Sequence, residues 1–202
     1  MLNSQTRDLF IEMLNFEDYI HGYLHKPDYE KEEVRKNFNK VKSVLGEEDG
    51  NELIASITIR LKNKVNGVPT DWIIANSVAN TLQIKVSKAF WGRKSKYVKM
   101  PYVSAIESSK NWNKEHIHAL IRMSDLKEEL TSYEIETIIR SICLSFEEVN
   151  NHIPDSVIIR TFPFLENKDK VVGNAIHYIC KSSTKAYNPL LRQLKNGTLI
   201  NA

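Results

Sequence analysis

From residue 53 onward the chain switches between strand-like and helix-like apolar patterns. Leu53-Ile54-Ala55-Ser56-Ile57-Thr58-Ile59-Arg60-Leu61 is β-branched and nearly continuous in its apolar content, which predicts a central, covered strand. A turn at Asn66-Gly67 and Pro69 leads to Thr70-Asp71, a good helix cap. The helix that follows, about 71 to 90, directs Trp72, Val78, Leu82, Val86 and Phe90 toward a core. Residues 102–107 predict another strand. The polar turn Ser109-Lys110-Asn111-Trp112-Asn113-Lys114 joins it, as a hairpin, to a strand containing His116-Ile117-His118-Ala119-Leu120-Ile121. Thr131-Ser132-Tyr133-Glu134 is a capping box, and the helix behind it runs to about Asn150 with Ile135, Ile138, Ile139, Ile142, Phe146 and Val149 inward. Residues 156–162 form a strand halted by Pro163, and a last helix over about 170–185 stops before Asn188-Pro189.

Ahead of these elements, residues 4–25 carry a broad apolar stripe at helical spacing. After Pro27 a more polar helix extends to about Leu45, with Val34, Phe38, Val41 and Leu45 on one face. The order from residue 53 predicts an α+β, ferredoxin-like βαββαβ antiparallel sheet with helices packed on one side, preceded by this N-terminal helical pair. Residues 1–50 are read as an N-terminal extension, 51–188 as the main domain and 189–202 as a C-terminal tail.

Composition narrows the class. With 42% hydrophobic and 26% charged residues among 202, the chain can bury an ordinary core. No stretch has the length of a membrane span and no basic-then-apolar leader opens the sequence, so a soluble, cytoplasmic protein without a membrane partner is expected. Cys143 and Cys180 lie in apolar helical patterns and read as buried free thiols of a reducing compartment. The net charge of +3 permits a polyanionic partner without requiring one. Its distribution is more telling: Arg93, Lys94 and Lys96 cluster beside Tyr97, and Arg60, Lys62 and Lys64 follow the first strand.

The chemistry gathers around two histidines. On a strand, His116 and His118 point the same way, roughly 7 Å apart, so two neutral imidazoles can converge on one metal ion. Glu107 lies nine positions ahead of His116 and faces it across the hairpin, which makes it the oxygen ligand of choice. Glu115 is closer in sequence but alternates to the opposite face and ranks second. Such a set leaves open positions on Mn²⁺ or Mg²⁺, and zinc would also accept it. The last helix supplies a nucleophile candidate: Tyr178 shares a polar stripe with Asn174, Lys181 and Lys185, where Lys181 can lower the phenol's pKa or bind a phosphate. Tyr187 lies past the helix end and reads as structural, and His177 has no assigned role.

Together these features resemble the HUH endonucleases, most closely the replication initiators of rolling-circle plasmids, phages and small single-stranded DNA viruses. Ile57-Thr58-Ile59 corresponds to the family's first motif, His116-Ile117-His118 with Ala119-Leu120-Ile121 to the second, and Tyr178-Ile179-Cys180-Lys181 to the tyrosine-x-x-lysine third. The similarity covers about residues 53–188. It implies site-specific nicking and rejoining of single-stranded or origin hairpin DNA through a 5′-phosphotyrosine link. The implied metal ligands are His116, His118 and Glu107, with Tyr178 and Lys181 catalytic. Thr58, Arg60, Lys62, Arg93, Lys94, Lys96 and Lys185 are the expected DNA-binding residues. No G-x-x-x-x-G-K-[ST] loop occurs, so a separate helicase is an expected partner, or the chain is the nicking part of a longer one. Two alternatives stay open: a single-tyrosine HUH transposase, which shares the motif order, and a nucleic-acid-binding ferredoxin-like module without chemistry.

Overall fold

The computed structural model describes residues 28–46, 52–97, 100–108, 115–123, 126, 130–163 and 179–180. In chain order the elements are α1 (Asp28–Leu45), β1 (Leu53–Arg60), β2 (Lys64–Val65), β3 (Val68–Pro69), α2 (Trp72–Trp91), a 3₁₀ turn (Gly92–Lys96), β4 (Tyr102–Ser108), β5 (Glu115–Met123), α3 (Ser132–Leu144) and β6 (Val157–Pro163). β4, β5, β1 and β6 lie side by side in that order, every neighbouring pair antiparallel. The fold is therefore α+β, with one four-stranded antiparallel sheet and three helices among the described residues. The expected first helix, 4–25, and nearly all of the expected last one lie outside the described residues; Ile179 and Cys180 are helical.

Alternation along the strands divides the sheet into two unlike faces. Ala55, Ile57 and Ile59 of β1 share one face with Tyr102 of β4, Ile117, Ala119 and Ile121 of β5, and Val157 and Ile159 of β6. Against it pack Ala75, Val78, Ala79, Leu82, Val86 and Phe90 of α2 and Ile135, Ile139 and Cys143 of α3, forming the larger core. The Tyr102 hydroxyl donates to the Ala79 carbonyl oxygen at 2.9 Å, and burial pushes that phenol's pKa well up. Trp72, expected inward, is only half-buried at the first position of α2.

The sequence pattern left open where the N-terminal helices dock, and the structure places α1 on the second face. Val41 and Leu45 of α1 join Ile54, Val103, Ala105, Leu120, Ile179 and Cys180 in a separate buried cluster, with Phe38 and Phe162 packed at its margin. Ile54, Val103 and Leu120 are fully buried, so this part of the sheet needs a cover, and α1 supplies one. The α1 apolar face has the spacing expected of it, though the side chain of Val34 is outside the described set. Arg122 secures the end of the helix: its Nη1 donates to the Leu45 carbonyl oxygen at 2.7 Å, and its Nε donates to Glu52.

Helix ends follow local signals. The Asp71 carboxylate accepts from the amides of Ile73 and Ile74 at 3.0 Å each, satisfying donors that the first turn of α2 leaves unpaired. Thr131 and Glu134 form the reciprocal capping box of α3. Asn66 and Gly67 both have positive φ, as a two-residue hairpin turn between β2 and β3 requires. The far end of α3 departs from its apolar pattern, stopping at Leu144 instead of about Asn150. The Ser145 hydroxyl donates to the Ile142 carbonyl oxygen at 2.7 Å, and the next backbone groups are taken by β1's continuation. Lys62 N donates to Glu148 O, Asn150 N donates to Arg60 O, and Leu61 bridges Val149. Phe146 and Val149 are buried as expected, but from this turn instead of from a helix.

Loss of the α2 cap in Asp71→Ala should cost about 1 kcal/mol of stability in urea unfolding. The two Thr131 hydrogen bonds hold the Glu134 carboxyl below its ordinary pKa. A lowered carboxyl pKa stabilises above the unfolded-state value and loses that contribution as pH falls through the folded one. Wild type and Thr131→Ala should therefore differ most near neutral pH and converge in acid, as measured by unfolding midpoints from pH 7 to pH 3.

Candidate functional site

The expected metal ligands sit where β5 is flanked by β4 on one side and β1 on the other. Register places Glu107 opposite His116, with Arg60 across from His116 on the other neighbour. One row inward, Ala105, His118, Thr58 and Ile158 stand abreast; the next row is Val103, Leu120, Ser56 and Arg160. Rows on one face are about 6.8 Å apart. The first two rows are therefore a polar end of the second face, and the rows beyond are its apolar part, where α1 and residues 179–180 pack.

Contact follows a diagonal. The Nε2 of His118 lies 3.1 Å from Oε2 of Glu107, although the residue directly opposite Glu107 is His116. Strand twist brings one diagonal neighbour within reach of long side chains. The other ring nitrogen of His118, Nδ1, lies 3.1 Å from the Thr58 hydroxyl, which β1 presents directly beside it. His118 is buried and Glu107 keeps about a quarter of its side chain exposed, so the pair opens to solvent on the carboxylate side. Glu115 is buried and belongs to the opposite face, as strand alternation requires.

The hydrogen bonds define a proton arrangement. With Glu107 ionised and the ring neutral, His118 donates from Nε2 and Nδ1 accepts from the Thr58 hydroxyl; in the imidazolium Nδ1 donates to that oxygen instead. A hydroxyl can also accept. If a cation took the Nε2 lone pair, the ring proton would move to Nδ1 and the Thr58 oxygen would receive it. Threonine can partner both tautomers; a backbone carbonyl in its place could serve only one.

Whether the residues suit a divalent ion can be asked of the pair in contact, His118 and Glu107. Two ligands each about 2.1 Å from an octahedral ion lie about 3.0 Å apart, and His118 Nε2 and Glu107 Oε2 are 3.1 Å apart. That separation is also the length of the N–H···O hydrogen bond between them, so the Nε2 proton would have to leave and the side chains turn for both atoms to bind one ion. His116 shares the face and the row of Glu107, but among the described residues no three such side chains are gathered into a metal-holding cluster.

The remaining expected residues distribute unevenly. Arg60 adjoins the histidine row. The Lys62 ammonium donates to the Glu147 carbonyl oxygen at 2.6 Å and fastens the loop after α3 to the end of β1. Arg93, Lys94 and Lys96 occupy the exposed 3₁₀ turn after α2. In sequence that turn comes between α2 and β4. Tyr178, Lys181 and Lys185, with Tyr187 and His177, lie outside the described residues. Their neighbours Ile179 and Cys180 pack on the face that carries His118. Sequence reasoning missed the contact of Thr58 with His118 and the placement of Arg160 on this face. A threonine interrupting an apolar strand was the available signal.

No protein-family model, curated protein or solved structure matches the chain.

In the metal-free protein, nitrogen-15 spectra should show His118 as one dominant tautomer, protonated at Nε2. Thr58→Val should broaden or mix that signal, Thr58→Ser should keep it, and the exposed His152 should be affected by neither.

Proposed function

We propose that the chain is a metal-dependent, site-specific single-stranded DNA strand transferase of the HUH endonuclease type, acting as a rolling-circle replication initiator. The observation that carries this reading is the meeting of Glu107, His118 and Thr58 at one end of one sheet face, with His116 in the adjoining row. These are residues of two motifs far apart in sequence. The strand order supports the finer fold reading as well: with the β2–β3 hairpin set aside, the strands run second, third, first, fourth, as in a ferredoxin-like sheet.

Glu107, His116 and His118 would hold Mn²⁺ or Mg²⁺, His116 by turning toward the carboxylate opposite it. When bound, the ion supplies Lewis-acid polarisation of a phosphate oxygen. The chain's own residues do the rest. The Tyr178 phenolic oxygen would bond to phosphorus as the phosphorus–O3′ bond breaks; the phenol gives up its proton and the leaving oxygen takes one. Lys181 would stabilise the phenolate or the phosphate charge. The 5′ phosphate stays on Tyr178 and the free 3′ hydroxyl primes synthesis, until attack by a 3′ hydroxyl reverses the link and rejoins the strand. Arg60 would pair with a phosphate next to the histidines.

The DNA path in this reading is narrower than an open sheet would give. Packing of α1 on the apolar rows leaves the polar end, with Thr58, Arg60, Glu107 and His116, as the stretch for nucleotide contact. Arg93, Lys94, Lys96 and Lys185 would bind flanking single-stranded or hairpin DNA, and a separate helicase would open the duplex.

The test is a covalent-adduct assay on origin-containing single-stranded DNA with Mn²⁺. An adduct should form, disappear with EDTA, and be lost in Tyr178→Phe and His118→Ala. Thr58→Val should weaken Mn²⁺ binding about 10- to 100-fold by calorimetry, and Thr58→Ser should largely restore it. DNA binding that ignores EDTA, with no adduct at all, would instead mark a binding module without chemistry.

A further inference from the structure

The sequence resemblance leaves the first fifty residues without a role, yet α1 lies on the sheet face that bears the candidate site. Its buried Val41 and Leu45 belong to the same cluster as Ile179 and Cys180. Those two residues are nearly or fully buried, with 3% and 0% exposure, over the fully buried Ile54, Val103 and Leu120. Two further contacts hold α1 in register. Arg122, on the same face of β5, donates to the last carbonyl of the helix and reaches Glu52 at the entrance to β1. Gly46 then leaves the helix at φ 83°, and a Cβ there would lie 2.6 Å from Arg122 Nη1. The helix end, the guanidinium and the strand entrance therefore interlock.

We propose that α1 is a clamp that seats Ile179–Cys180 on the site-bearing face. Val41 and Leu45 are positioning residues for Ile179 and Cys180, the described residues that follow the candidate nucleophile in sequence. The clamp itself rests on packing; its link to catalysis rests on the nuclease reading above. α1 is then part of the working unit and not an appended domain, because the sheet's second apolar patch is shared between chain segments about 135 residues apart in sequence.

The two free cysteines give an internal comparison. Cys180 lies in the cluster with α1, whereas Cys143 lies in the larger core on the other face. Burial pushes both thiols up to about 12, so both should resist alkylation at pH 8 in the folded full-length chain. Site-resolved labelling by mass spectrometry should show Cys180 modified at least tenfold faster in Val41→Asp, with Cys143 as slow as in wild type. Arg122→Ala should move Cys180 in the same direction by a smaller factor, and Val41→Ile should leave it protected. If α1 amides exchange freely in Val41→Asp while Cys180 stays protected, the clamp is refuted. Equal acceleration of both thiols in both Val41→Asp and Arg122→Ala refutes it as well, since the helix would then support the fold as a whole.

The adduct assay separates this proposal from the reading it extends. With Cys180 released, Val41→Asp should form adduct at least tenfold more slowly at unchanged Mn²⁺ affinity. An unchanged adduct rate with Cys180 exposed would overturn the positioning role while leaving the nuclease reading intact. Selective Cys180 release in a chain whose wild type forms no adduct would uphold the clamp and sink the nuclease reading.

Discussion

The seating of β5 between β4 and β1 is the constraint from which the rest of the arrangement follows. A slip of one residue would turn His116, His118 and Arg122 into the larger core and bring Ile117, Ala119 and Ile121 out of it. Burying the imidazoles and a guanidinium among α2 and α3 side chains would be costly, and so would uncovering three fully buried apolar residues. The energetics of packing on one face thereby fix the chemistry offered by the other. His118 meets Glu107 on one side and Thr58 on the other because the larger core admits no different register.

The second face carries a gradient of its own. Its polar end holds Glu107, His116, Thr58 and Arg60, while Ile54, Val103 and Leu120 lie beneath cover. Arg122 marks the far margin, where its guanidinium spans the end of α1 and the entrance of β1. Among the described residues α1, Ile179 and Cys180 cover the apolar rows of this face, and its polar end is carried on strands whose other face is packed in the larger core. Local stiffness matters here, since it holds His118 within hydrogen-bonding distance of Glu107 on one side and Thr58 on the other.

Much of this was legible along the chain because the signals are local. Asp71 caps α2, Thr131 and Glu134 cap α3, and Asn66-Gly67 turns between β2 and β3 as their side-chain chemistry demands. Alternation alone put His116 and His118 on one face and Glu115 on the other. The misses are long-range. Helix periodicity carries α3 on toward Asn150, but β1 claims the backbone at 148–150, and a strand ninety residues upstream leaves no trace in local pattern. The apolar stripe of α1 shows that it must dock somewhere; which face it covers depends on how much apolar surface the sheet leaves open, which emerges only when strands pair. The partnership of Thr58 with His118 likewise needs the β1–β5 register, set by packing between residues sixty positions apart.

Gly46 carries a consequence for how the chain tolerates change. Its positive φ disfavours any side chain, and the space a Cβ would fill already holds Arg122 Nη1. A larger residue there would have to evict the guanidinium, and the Leu45 carbonyl would lose its donor in the same movement. The backbone conformation of one residue is thus tied to the docking of a whole helix. A lesion at that joint would read out, through the neighbouring layer, at residues more than a hundred positions downstream.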